Sequence, residues 1–134
     1  MKIKYIILII ILIILDQVTK FYFGYVHNKG SAFGMFKDYS LFLTIFSIIA
    51  LVVFSYLFFR FKKYKIALSF ALAGITGNLI DRLFLGYVRD FIDIKIIPVF
   101  NFADAYLNIA LGLYILFEVL DSKYFKSKKS KYCV

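Results

Sequence analysis

The sequence predicts an all-α membrane protein with four transmembrane helices. Of its 134 residues, 63% are hydrophobic and only one is proline, and its mean hydropathy is +0.84; soluble domains are usually about half apolar. Four apolar runs of membrane-spanning length are separated by short polar segments. The length favours one unit, so we expect residues 1–134 to form a single integral membrane domain.

The net charge of +9 raises the question of a nucleic-acid partner. The basic residues lie between the apolar runs, however, and no module that combines basic and aromatic residues for nucleic-acid binding is visible. We therefore expect these charges to meet membrane lipid headgroups and no nucleic acid.

The four spans follow one another along the chain. The first lies at about residues 5–23, after a basic start that is similar to a secretory signal but is followed by no small-residue cleavage site. The others lie at about 39–59, 66–85 and 103–120, each near the roughly 20 residues that cross a bilayer. A basic cytoplasmic tail, 121–134, ends the chain.

The distribution of lysine and arginine predicts that both termini are cytoplasmic. In that topology 11 of the 17 basic residues lie on the inner side and six on the outer side, which is the bias expected of cytoplasmic loops. Polar residues from four separate parts of the chain then converge near the outer leaflet: Asp16, Asn78, Asp81, Asp90, Asn101 and Asp104.

The segment between the third and fourth spans has the alternation of an extended strand. Its even-numbered positions are apolar apart from one aspartate: Val88, Asp90, Ile92, Ile94 and Ile96. Alternate residues of a strand share a face, so Asp90 is predicted to point inward, where a carboxylate is costly unless it is used. The alternative is a solvated loop in which Asp90 only caps a turn.

Ionisable side chains within membrane spans are costly, so they are functional candidates. Asp16 and Lys20 are four residues apart on one helix, which allows an ion pair; a structural clasp explains Asp16 as well as catalysis does. Asp104 follows Asn101 into the first turn of the fourth helix, where helix capping is the alternative to catalysis.

The outer end of the third span carries three polar residues, Asn78, Asp81 and Arg82, at helical spacing. This spacing places them on one face. We expect Asp81 and Arg82 to neutralise each other rather than to take part in bond cleavage.

Several catalytic sets are excluded by the residues present. His27 is the only histidine, which does not support a zinc hydrolase. Cys133 lies in the tail, away from His27, and Ser31 lacks the spacing of a nucleophile elbow. We predict no metal and no cofactor. Carboxylates remain: two that face each other can share a proton, so that one activates a water while the other, protonated, polarises a carbonyl.

Five short motifs, in this order and at this spacing, resemble those of the lipoprotein signal peptidases, the signal peptidase II family. They extend from the first span to the last: DQVTK at 16–20, NKGSAFG at 28–34, GNLIDR at 77–82, VRDF at 88–91 and FNFAD at 100–104. Each motif alone is weak, but five in register are highly specific.

The resemblance implies an intramembrane aspartic endopeptidase that removes the signal peptide from prolipoproteins, cutting before a cysteine that carries diacylglycerol. It implies a catalytic dyad of Asp90 and Asp104, while Asp81 is left as structural. It also implies a small extracytoplasmic β-like cradle and a short helix over the site. Five residues match positions that line or support the site of the family: Asp16, Asn28, Asn78, Arg82 and Asn101.

The resemblance further implies a multi-pass protein of the bacterial cytoplasmic membrane, with its active site toward the extracytoplasmic face, and we expect a monomer. Its partners would be the lipidated precursors and membrane lipid. Two places depart from the family pattern: Ala73-Gly74, where a glycine pair is frequent, and Tyr106-Leu107, where smaller or β-branched residues are more usual.

Two other functions remain as alternatives. A small carrier or channel subunit would use Asp16, Asp81 and Arg82 as an ion path, but it should carry polar residues at several depths. An intramembrane aspartic protease of the presenilin-like group should carry a GxGD motif, which this sequence lacks.

Overall fold

The computed structural model describes residues 3–29 and 39–132, with side chains for 3–29 and 40–122. Four long helices and two short strands follow in the order α1 (Ile3–Phe23), β1 (Val26–Asn28), α2 (Tyr39–Arg60), α3 (Lys65–Leu85), β2 (Val88–Asp90) and α4 (Phe102–Tyr132). Each helix is long and apolar enough to cross a membrane. The predicted all-α membrane architecture is confirmed.

The other helices are arranged around α3, which contacts α1, α2 and α4. Its buried face consists largely of small residues, so neighbouring backbones approach closely. A Cβ atom on Gly74 would lie 2.5 Å from the carbonyl oxygen of Ala103, and one on Gly77 would lie 2.5 Å from Oδ2 of Asp16. These two glycines therefore allow α4 and the Asp16 carboxylate to lie against α3.

Large apolar side chains on α1, α2 and α4 face outward. Ile10, Phe46 and Leu111, for example, are each at least half exposed, whereas a soluble protein rarely exposes contiguous apolar surface of this extent. Hydrocarbon is the environment that suits such a surface, as expected for a multi-pass membrane protein.

Two helix boundaries differ from those predicted by more than one residue. Helix α1 begins at Ile3 instead of residue 5. Helix α4 continues to Tyr132, so its last turns fall in the basic segment that we expected to follow the fourth span as a tail. That segment contains no glycine or proline to end a helix, and lysine favours helix formation.

The two strands form an antiparallel ribbon in which Val26 lies opposite Asp90 and Asn28 lies opposite Val88. This ribbon is the predicted β-like cradle. The described part of the chain between β2 and α4 contains no short helix, although the family resemblance implied one over the site.

The predicted alternation holds only at the start of the segment after α3. Val88 and Asp90 are 3% and 1% exposed, but Ile96 is 87% exposed, so the inward orientation predicted for the later isoleucines is wrong. The strand ends at Asp90, and Lys95 has a φ of 65°. Asp93 stabilises this turn, since its Oδ1 accepts a hydrogen bond from the Lys95 backbone N–H at 2.9 Å.

The two departures from the family pattern lie in the packed interior. Ala73 is fully buried, and Tyr106 is 5% exposed in a cluster with Leu12. The Tyr106 ring lies 5.9 Å from that of Phe70 and 6.2 Å from that of Phe102. The larger side chain at 106 is therefore accommodated between α1, α3 and α4.

Candidate active site

Asp90 reaches the site because α3 ends abruptly. Gly86 adopts a left-handed conformation, with φ of 76°, and its N–H donates to the carbonyl of Arg82 at 3.1 Å, an arrangement that ends helices and favours glycine. The chain then turns back as β2. The carboxylate of Asp90 accepts hydrogen bonds from Asn28 Nδ2 at 3.0 Å and from Asn101 Nδ2 at 2.6 Å.

Asp104 is held by the first turn of α4. Its backbone N–H donates to Asn101 Oδ1 at 3.0 Å, and its own Oδ2 accepts from the Asn101 N–H at 3.2 Å. This reciprocal pair is a capping box, with aspartate in the position where glutamate is more usual. The capping role that we weighed for Asp104 is thus present, and it leaves Oδ1 directed toward α3.

Two asparagine side chains connect the carboxylates. Asn101 Nδ2 donates both to Asp90 Oδ1 and, at 3.2 Å, to Asn78 Oδ1. Asn78 Nδ2 donates in turn to Asp104 Oδ1 at 2.8 Å. Asn78 and Asn101 are 5% and 0% exposed, so the two amides that connect β2 to α4 are shielded from solvent.

The environment of Asp90 favours its protonated form. Burial raises the pKa of this carboxyl above its usual value, and the neighbouring charge of Asp104 acts in the same direction. The hydrogen bonds from Asn28 and Asn101 oppose the effect because they stabilise the ionised form. The net direction is upward, so Asp90 retains its proton at a higher pH than an exposed aspartate does.

Asp16 lies behind the start of α4 and forms the ion pair predicted with Lys20, at 2.8 Å. Its Oδ1 accepts a hydrogen bond from the Ala103 N–H at 2.8 Å, so it also binds one of the free amides at the helix N-terminus. Asp16 is completely buried. These contacts make it a clasp that holds α4 against α1.

The predicted ion pair between Asp81 and Arg82 is wrong. Asp81 instead accepts three hydrogen bonds from Arg89, from the backbone N–H at 2.9 Å, from Nε at 3.2 Å and from Nη2 at 2.8 Å. Lys20 Nζ lies 3.8 Å away. Arg82 donates to Ser47 Oγ on α2 at 3.3 Å. The spacing along α3 placed both residues near the site, but the folding back of β2 brings Arg89 to Asp81.

Sequence reasoning missed two residues that support the site. Arg89 Nη2 donates to Gln17 Oε1 at 3.0 Å, and Gln17 Nε2 donates to the carbonyl of Gly77 at 3.0 Å. Gln17 lies within the DQVTK motif and Arg89 has the strand parity opposite to Asp90. From this parity, the sequence could have predicted that Arg89 lies on the face of β2 opposite to Asp90. It could not have predicted that Asp81 and Gln17 are the partners of Arg89, since no local pattern identifies them.

All seven residues predicted for the site lie in the part of the chain that the structure describes. Six belong to one polar cluster at one end of the bundle, which Asp16 joins through Lys20: Asp16, Asn28, Asn78, Asp90, Asn101 and Asp104. Arg82 extends toward α2 beside them. Ser31 and Cys133, weighed as nucleophiles, fall outside the described residues. Among the described residues, no three His, Cys, Asp or Glu side chains are grouped to hold a metal ion.

Comparison with known proteins assigns the chain to a family. Residues 8–120 match the family described as "Signal peptidase (SPase) II". This chain belongs to the signal peptidase II family. A lipoprotein signal peptidase of Clostridium tetani (strain Massachusetts / E88) is 36% identical to it over 89% of this chain and 94% of that protein.

Further relatives and solved structures agree with the assignment to the signal peptidase II family. A lipoprotein signal peptidase of Lactiplantibacillus plantarum is 34% identical over 87% of this chain and 93% of that protein. A solved structure described as a bacterial membrane enzyme superposes with a TM-score of 0.78 at 31% identity, covering 89% of each chain. A second structure with the same description gives 0.75 at 32% identity, covering 84% of this chain and 90% of that one.

Proposed function

We propose that this protein removes the signal peptide from diacylglyceryl-modified prolipoproteins, cutting just before the lipidated cysteine, with Asp90 and Asp104 as the catalytic dyad. Membership of the signal peptidase II family makes it a protease of lipoprotein processing. The single observation that supports the dyad is that both carboxylates accept hydrogen bonds from the same asparagine, Asn101.

The environments of the two carboxyls differ in a way that suits acid and base roles. Asp90 is 1% exposed, and burial raises its pKa, so it suits the protonated acid. Asp104 is only partly buried and accepts N–H hydrogen bonds at both of its oxygens, which suits a carboxylate that meets an incoming water. Two carboxyls whose environments differ are the arrangement that acid–base catalysis needs.

The reaction then proceeds by water addition. Asp104 takes a proton from a water as the water oxygen bonds to the scissile carbonyl carbon, and Asp90 gives its proton to the carbonyl oxygen. In the resulting tetrahedral diol, Asp104 passes its proton to the nitrogen of the cysteine while the C–N bond breaks. Asp90 recovers a proton from the diol, so both carboxyls return to their initial states.

We propose that both termini are cytoplasmic and that the site opens toward the extracytoplasmic side of a bacterial cytoplasmic membrane. The excess of basic residues on the opposite side supports this orientation. The apolar signal helix and the acyl chains of the substrate would then stay in hydrocarbon while the scissile bond meets water at the end of the bundle.

Binding energy would come mainly from this apolar part of the substrate, at about 25 cal/mol per Å² buried. We propose a monomer as the active form. In this proposal membrane lipid surrounds the protein, and the function requires no nucleic-acid partner.

The test is cleavage of a purified diacylglyceryl-modified precursor by wild type and by Asp90→Asn and Asp104→Asn. Each change should lower the turnover rate at least about 1,000-fold, since it removes one of two proton-transfer groups, and should leave a membrane-inserted, helical protein. Asp93→Asn is the matched control because Asp93 lies on the same segment but pairs with Lys95 at 2.5 Å. Full activity in either dyad variant would remove that residue from catalysis.

An unmodified precursor is the substrate control. We expect wild type to leave it intact, because the acyl chains supply much of the binding. A liposome flux assay with the same preparations addresses the carrier alternative: ion flux lost in Asp16→Asn together with absent cleavage in wild type would favour a carrier over a protease.

A further inference from the structure

Lys20 is a buried lysine to which the proposed reaction assigns no role. It is 1% exposed. Its Nζ lies 2.8 Å from Asp16 Oδ2 and 3.8 Å from Asp81 Oδ2, and it donates to the Asn78 side chain at 3.0 Å and to the Gly77 carbonyl at 3.3 Å. Burying an ammonium is costly unless it is paired, and its pairing with Asp16 and Asp81 meets that cost.

The contact with Asn78 determines which way this amide faces. An ammonium group can only donate hydrogen bonds, so it holds Oδ1 of Asn78 on its own side. Asn101 Nδ2 donates to the same oxygen at 3.2 Å. The Asn78 Nδ2 group must then face Asp104, where it donates to Oδ1 at 2.8 Å. The opposite orientation would place an oxygen of Asn78 against an oxygen of Asp104 and its Nδ2 against Lys20.

We infer that Lys20 is a positioning residue for the dyad: through the Asn78 amide, it holds the donor that places the Asp104 carboxylate for attack by water. This inference rests on the proposed function, because it concerns the base of that reaction. The distances form a continuous chain from Lys20 Nζ to Asn78 Oδ1 and from Asn78 Nδ2 to Asp104 Oδ1. No substrate atom needs to touch Lys20.

Lys65 provides a comparison with a purely structural lysine. It is 6% exposed and lies at the opposite end of α3, where it donates to the Phe58 carbonyl oxygen and its Nζ lies 3.9 Å from the centroid of the Phe58 ring. Lys20 is buried between α1 and α3, and Lys65 is buried between α2 and α3. Of the two lysines, Lys20 is the one that contacts an amide of the site. Comparing a Lys20 variant with a Lys65 variant therefore separates an effect on the site from a general loss of bundle stability.

The experiment measures kcat and KM on a diacylglyceryl-modified precursor for Lys20→Met, Lys65→Met and Asn78→Ala, with rates normalised to folded enzyme. Misplacing a reacting group by about 1 Å can cost about 100-fold in rate, so Lys20→Met should lose about 10- to 100-fold in kcat with KM unchanged within about twofold. Lys65→Met should keep kcat once normalised. In the Asn78→Ala background, Lys20→Met should have little further effect, because the residue through which it acts is gone.

A second variant avoids leaving an unpaired charge in the interior. Asp16→Asn/Lys20→Met, compared with Asp16→Asn alone, should show the same loss of kcat as Lys20→Met compared with wild type. This comparison decides the question if Lys20→Met alone fails to fold.

Three results would overturn the inference. Lys20→Met could keep the wild-type kcat, or Lys65→Met could lose as much kcat as Lys20→Met does. The third is a double variant of Lys20→Met and Asn78→Ala in which the fold losses in kcat of the two single variants multiply. Failure of the proposed function is distinct from these, because wild type itself would then leave the lipidated precursor uncleaved.

Discussion

Asp90 and Asp104 arrive at the same site by different means. Asp104 is held by its own helix turn, through two hydrogen bonds with Asn101 three residues earlier. Asp90 lies on a three-residue strand, and its partners include Asn28, which is 62 residues away in sequence. Asp104 therefore has a local helix cap in addition to its long-range contact with Asn78, whereas Asp90 has no local contact of this kind, so the Asp90 side of the site is the more easily displaced.

Asn101 is the residue that joins the two sides, and among changes outside the two carboxylates its removal should have the largest effect. Asn101→Ala deletes the donor to Asp90 and the cap that faces Asp104. We expect cleavage to fall about 100-fold, since misplacing a reacting group by about 1 Å can cost this much. Loss of the helix cap should cost about 1 kcal/mol of stability. Cleavage kinetics and thermal unfolding in detergent measure the two effects.

The matched control for this change is Asn108→Ala on the same helix. Asn108 is exposed, and within the described part of the chain its side chain donates only to the backbone carbonyl of Asp104, at 3.0 Å. Its removal should change cleavage less than about threefold. Equal losses in the Asn101 and Asn108 variants would contradict the joining role of Asn101.

Gly86→Ala should disturb the Asp90 side while leaving the capping box of Asp104 intact. Gly86 has a φ of 76°, so alanine there should cost about 1 kcal/mol and shift the start of β2. We expect a loss of cleavage of about three- to tenfold, smaller than that for Asn101→Ala.

Gly112→Ala is the control for the glycine change. It lies within α4 with nothing within 4 Å of the added Cβ, so it should keep activity and stabilise the helix by up to about 1 kcal/mol. If Gly86→Ala loses stability as expected but keeps its cleavage rate, strain at the end of α3 does not displace β2, and the prediction is wrong.

The smallest expected effect is a shift in the pH dependence of cleavage, which should reflect the protonation of Asp90. Burial raises the pKa of Asp90, whereas the Asn28 hydrogen bond lowers it. Activity that needs protonated Asp90 falls as pH rises through this pKa. Asn28→Ala removes the lowering contact, so the alkaline limb of the pH profile of kcat/KM should move to higher pH.

Asp93→Asn serves as the control for this profile, since Asp93 pairs with Lys95 outside the site and should leave the limb in place. A limb that moves to lower pH in Asn28→Ala would show that Asp90 is not the group that must keep its proton.

The sequence predicted the four helices and several local contacts correctly. Four apolar runs became four helices, and the inward parity of Asp90 and the cap at Asp104 are confirmed. The ion pair of Asp16 with Lys20 is also confirmed. These features depend on residues within about four positions of one another, so composition and spacing are enough to reveal them.

The errors concern contacts between distant parts of the chain. Arg82 was assigned to Asp81 because they are neighbours on α3, but Arg89 has the better geometry: its Nη2 and its backbone N–H both reach the Asp81 carboxylate. The alternation of the outer segment likewise suggested a longer strand. Regular pairing with β1 instead ends at Asp90, Ile92 forms a single bridge with Phe100, and the chain turns at Lys95.

Apolar content, helical spacing and motif order were sufficient to establish a four-helix membrane protein with aspartates near one end and a likeness to the signal peptidases. Only the tertiary structure showed that Asn78 and Asn101 connect the two carboxylates and that Lys20 contacts Asn78. The reason is physical: burial and capping follow from near neighbours, whereas the orientation of an amide depends on which donors converge on it from other helices.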